Sequence, residues 1–90
     1  MRYKDGLAAS AENFRLVLQK LTELGIPFTP VHYSVIYEYV TGINPPLKEA
    51  VDALIHSGHA SSDQEMENIF VNHLVPEFLF QIYPIYHLTL

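Results

Sequence analysis

Histidines, carboxylates and tyrosines are the side chains here whose chemistry could reach beyond packing, and their spacing limits what it can be. His56 and His59 are three residues apart, the interval that sets two imidazoles on one helix face, as a metal site would need. Gly58 lies between them and should end the helix, and no carboxylate or third histidine stands at a supporting interval. The pair therefore reads as a C-terminal helix histidine, favourable against the dipole, followed by a loop residue, and no metal is expected. His32, in the first turn of a second helix, and His73, near the end of a fourth, are expected to be hydrogen-bonded structural groups rather than pH-sensitive ones.

Glu38 lies within Tyr37-Glu38-Tyr39, where acid–base work is conceivable, but the sequence fixes no second acid, base or nucleophile near it. It is expected to be a solvated helix residue or the partner of a nearby base. Serines 10, 57, 61 and 62 read as caps and turn residues, and the glycines are isolated stops rather than a phosphate-cradling loop. The rings of Phe28, Tyr33, Tyr37, Tyr39 and Phe70 suit a small core, with Tyr33, Tyr37 and Phe70 the candidates for a ligand pocket. No catalytic set and no cofactor is expected.

Bulk properties narrow the classes further. Ninety residues make one domain with a small core. Hydrophobic residues form 49% of the chain and charged ones 17%, which is too apolar for disorder. The net charge is −5, and Arg2, Lys4, Arg15, Lys20 and Lys48 are scattered, which opposes binding to nucleic acid. The absence of cysteine excludes disulfides, thiolate zinc sites and cysteine nucleophiles. The N-terminus lacks the apolar run of a signal peptide, so the expected location is cytoplasmic.

These side chains must be positioned by helices. A first helix over Ser10–Leu24 carries Phe14, Val17, Leu18, Leu21 and Leu24 as one stripe, with Ser10 as cap and Gly25-Ile26-Pro27 as the stop. A second opens at Thr29-Pro30, carries Val31, Val35, Ile36, Tyr39 and Val40, and stops at Gly42. A third follows Asn44-Pro45-Pro46, carries Leu47, Val51, Leu54 and Ile55, pairs Lys48 with Asp52, and closes at Gly58. Ser62 and Glu65 form a capping box for a fourth, which runs through Met66, Ile69 and Phe70 to Leu74. The expected fold is all-α: a compact bundle of four short amphipathic helices over residues 10–74, behind an arm of residues 1–9.

Residues 75–90 form an apolar aromatic tail interrupted by Pro76 and Pro84. Such a segment packs on the bundle, on a protein partner or on a membrane, and Phe78, Phe80, Tyr83 and Tyr86 are its candidate interface residues. The shortage of Lys and Arg beside it speaks against the membrane.

The middle of the chain resembles the helical N-terminal region that precedes the cyclase domain in many bacterial diguanylate cyclases. The residues that fit are Leu21, Gly25, Ile26, Pro27, Thr29, Pro30, Tyr33, Val35, Tyr37, Glu38, Tyr39, Val40, Gly42, Asn44, Leu47, Val51, Asp52 and Leu54. The similarity extends over about Phe14 to Leu74, with Pro30, Tyr33, Tyr37, Glu38, Tyr39, Gly42 and Asp52 as its signature. His32 stands where that family commonly has asparagine, and Ile36 where it commonly has tryptophan. The Gly-Gly-Asp/Glu-Glu-Phe signature of the cyclase domain is absent, so cyclase activity does not carry over. The resemblance implies a non-catalytic regulatory or dimerisation module of cyclic di-GMP signalling that associates with itself or a protein partner. It implies further a truncated remnant, or an isolated sensory segment, of such a cyclase. A small-ligand sensor with a tyrosine-lined pocket is the alternative.

Overall fold

Helix α1 forms over Leu7–Leu24 because an alanine-rich start leads into apolar residues at helical spacing. The computed structural model describes residues 3–76. Gly6 occupies the N-cap position without a side-chain hydrogen bond, and its carbonyl accepts from Ser10 N at 2.9 Å. The expected start at Ser10 is therefore corrected. Ser10 turns its hydroxyl back to Leu7 O at 3.0 Å, and Leu7–Ala9 already belong to the helix. The helix ends as foreseen. Gly25 adopts φ 68°, a region costly for a residue with a Cβ, and donates to Thr22 O, while Ile26 N reaches Leu21 O at 2.9 Å. Ile26 is buried, so this stop also adds a core side chain.

Helices α2 (Pro30–Thr41) and α3 (Pro45–Ser57) are each opened by proline behind a side-chain cap. Thr29 Oγ1 accepts from His32 N at 3.2 Å, and Asn44 Oδ1 accepts from Leu47 N at 3.3 Å. Helix α4 covers Asp63–Ile69, with Ser62 Oγ accepting from Glu65 N at 3.3 Å. Only half of the expected capping box forms, because Ser62 N donates to His59 O at 3.1 Å instead.

The fourth segment is not one regular helix to Leu74. Residues Phe70–Leu74 form a π-helical turn, in which Val75 N donates to Phe70 O, five residues back. The physical reason lies in the apolar spacing. Met66 and Ile69 are a helical interval apart, but the next core residue, Leu74, comes five later, which an α-helix would rotate off the face. One extra residue in the turn brings Leu74 back to the core.

The fold is thus a globule of four helices, with no strand among the described residues. Its core is Val17, Leu21, Ile26, Val35, Ile36, Leu47, Val51, Met66, Ile69 and Leu74. Three residues expected in the stripes fall short: Phe14 is 50% exposed, and Leu18 and Val31 are only half-buried and lie outside the core cluster. Helix α2 is central, packing on α1 along one side and on α3, α4 and the π-turn along the other. Among the described residues, no helix is long and apolar enough to cross a membrane. The expected tail contacts of Phe78, Phe80, Tyr83 and Tyr86 lie outside the described residues.

Candidate functional site

Helix α2 places Tyr33 and Tyr37 one turn apart, and their rings stack with centroids 6.0 Å apart and planes at 29°. Phe14 of α1 extends this row at one end, 6.0 Å from Tyr33. Tyr3 closes it at the other, edge-on to Tyr37 at 5.4 Å and 87°. Edge-to-face and offset stacking are the arrangements the ring quadrupole favours. Together Tyr3, Tyr33, Ser34 and Tyr37 line an open hollow of about 250 Å³. Burial pushes the Tyr33 phenol above its ordinary range, with proximity to Tyr37 adding to it.

Polar groups hold the row in place. Tyr37 donates its hydroxyl to Asp5 Oδ2 at 3.1 Å, and Asn13 Nδ2 donates to the same oxygen at 2.8 Å. Tyr3 donates its hydroxyl to Glu38 Oε2. The approach of residues 3–5 to α2 was not foreseen, because its bonds join positions more than thirty residues apart.

Glu38 is the main correction among the candidate residues. Expected to be a solvated helix residue or the partner of a nearby base, it is instead fully buried. A buried carboxylate persists only when donors replace its water. Asn44 Nδ2 supplies one at 3.0 Å and Tyr3 another. Asn44 itself is 5% exposed, and its amide also donates to His73 O at 2.8 Å. One side chain therefore caps α3, satisfies α2's buried acid and fastens the π-turn. A signal for this existed in the sequence, since Glu38 follows the core residue Val35 by three.

Tyr39 and Asp52 lie away from the hollow. Tyr39 donates its hydroxyl to Asp52 Oδ1 at 2.6 Å, and Lys48 Nζ pairs with Asp52 Oδ2 at 2.8 Å. The Lys48 ammonium also sits 5.4 Å from the Tyr39 ring centre. The bond to Asp52, then burial, pushes the Tyr39 phenol up to about 12. Lys48 and Tyr39 together hold the Asp52 carboxyl below the usual carboxylate range. Of the remaining signature residues, Pro30 opens α2 and Gly42 closes it in the left-handed region at φ 70°.

Phe70 is separated from Tyr33 and Tyr37. It lines a different depression, of about 340 Å³, with His32, Asp63 and Val71. The pocket candidates thus divide, with the two tyrosines together and the phenylalanine elsewhere. His32 is 5% exposed, with Nδ1 2.9 Å from Pro27 O and Nε2 3.4 Å from Asp63 Oδ1, the structural setting expected for it. His56 falls in the last turn of α3 and His59 in the loop beyond Gly58, as anticipated. Among the described residues, no three metal-ligating side chains converge.

The arrangement can bind or associate. It offers an aromatic row, an open hollow and exposed apolar residues, while Tyr3, Tyr37, Tyr39 and Asn44 bond from one segment to another. Compared with protein-family models, curated proteins and solved structures, the chain matches none.

Proposed function

We propose that this chain is a non-catalytic regulatory module that associates with itself or with a protein partner. It would correspond to the input region of the diguanylate cyclases that its central segment resembles. One observation carries the reading. The polar signature residues Glu38, Tyr39 and Asp52 are used inside the bundle or across its helices, while apolar side chains remain outside on α1. Leu7 is 88% exposed and Phe14 50%, and their seven-residue spacing sets them on one face of α1. Such a face gains from being covered. In a full-length cyclase, a helical module that sets the pairing of two catalytic domains controls whether two substrates meet face to face.

Light scattering over a concentration series tests this. The expected result is a dimer at tens of micromolar that reverts towards monomer in Phe14→Ser. A strict monomer at high micromolar concentration would overturn self-association and leave only a different protein as the partner.

A second reading, a small-ligand sensor, is favoured by the hollow beside Tyr33 and Tyr37. A ligand of the folded state raises the melting temperature with its concentration.

A further inference from the structure

The hollow lined by Tyr3, Tyr33, Ser34 and Tyr37 has walls of an unusual kind. Three of the four described residues that line it present aromatic rings, and the rings of Tyr3 and Tyr37 stand at 87°, giving it two walls nearly at right angles. Tyr33 stacks beside Tyr37 with their planes at 29° and adds a third ring to the lining. Ring faces carry partial negative charge, and several facing one space attract a cation.

Two further features strengthen that attraction. Tyr37 donates its proton to Asp5 and Tyr3 donates to Glu38, and a phenol that donates to a carboxylate shifts electron density into its ring. The Asp5 carboxylate is exposed beside the hollow, and the whole chain carries a charge of −5. Among the described residues, no lysine or arginine belongs to the lining.

The polarity of the lining then selects the kind of cation. Among the described residues of the lining, Ser34 carries the only aliphatic hydroxyl, and that group already donates to Pro30 O at 2.8 Å. A primary ammonium or a guanidinium brings several N–H donors that such a wall cannot satisfy. A fully methylated ammonium brings charge and apolar surface without a donor.

We propose that this hollow binds a methylated ammonium ion, of the choline or trimethyl-lysine type, by cation–π contact. The proposal rests on the ligand-sensor reading and gives it a ligand class.

The experiment follows tyrosine ring-proton shifts of the full chain during titration at constant ionic strength. The probes are choline, its uncharged tert-butyl isostere, ammonium, and a short peptide carrying trimethyl-lysine. At least one methylated cation is expected to bind about tenfold or more tighter than the isostere, with ammonium weaker still. The tighter of choline and the peptide identifies the source of the cation. Tyr33→Phe should retain binding and Tyr33→Leu should lose about tenfold, with helical circular dichroism confirming that both are folded. The probe comparison on the unaltered chain needs no variant. Equal binding of the isostere would overturn the cation class while leaving an apolar ligand site standing. No shift with any probe up to tens of millimolar would overturn both.

Discussion

Asn44→Ala is the substitution that most directly probes how this bundle is held together. The side chain caps α3 through Leu47 N and donates both to the buried Glu38 carboxylate and to His73 O. Loss of an N-cap costs about 1 kcal/mol. Removing a hydrogen bond to a charged group costs about 1.5–3 kcal/mol more. A total of about 3 kcal/mol is large against the roughly 5–10 kcal/mol expected for a domain of this size. At about 4–8 °C per kcal/mol, the thermal midpoint should fall by about 12–24 °C. Thr29→Ala is the internal reference, because the Thr29 hydroxyl caps α2 through His32 N and should cost only about 1 kcal/mol. Urea unfolding followed by helical circular dichroism measures both, provided the slope with urea is unchanged. Equal costs for the two variants would refute the role assigned to the Asn44 amide. So would a normal stability for Asn44→Asp, which keeps the cap but sets an acceptor against Glu38.

Two further outcomes are expected. Gly42→Ala should lose about 1–2 kcal/mol by the same assay, since φ is 70° there and an added Cβ meets nothing within 4 Å, so the cost is purely one of backbone conformation. Asp52→Asn should move the Tyr39 titration down from about 12, read as phenolate absorbance during an alkaline titration, and an unchanged midpoint would contradict the assigned cause. The pH dependence has a definite sign on each side. A raised phenol contributes stability that is complete below its ordinary value near 10 and lost as pH climbs through about 12. The lowered Asp52 carboxyl contributes stability present above its ordinary value and lost as pH falls through its depressed one.

The parts of the fold legible in the sequence are those decided by neighbours in the chain. Thr29-Pro30, Asn44-Pro45 and Ser62 open helices because a cap needs only an oxygen and the next turn's N–H groups, and Gly25, Gly42 and Gly58 close them on the same local terms. Where the local signal was a weak one, it misled: Ser10 has a capping side chain, yet the alanines before it continue the helix and Gly6 takes its place. The π-turn was written in the five-residue step from Ile69 to Leu74, which a search for regular helical spacing passes over. Burial of Glu38 depended on partners six and thirty-five residues away, and no periodicity of α2 alone brings Tyr3 to it. The split between Tyr33–Tyr37 and Phe70 is of the same kind, because it depends on how α4 meets α2 rather than on either helix.

The central place of α2 has a consequence for how the molecule comes apart. Among the described residues, α1 is held chiefly by α2, while α3, α4 and the π-turn also hold one another. The first helix is therefore a single leaf hinged on a spine, and the other leaf keeps its own binding when the first lifts. Its amides should exchange with solvent ahead of those in α3. A fragment beginning at Ile26 would bare the α2 flank that α1 covers, a ready seat for the α1 of a neighbouring copy.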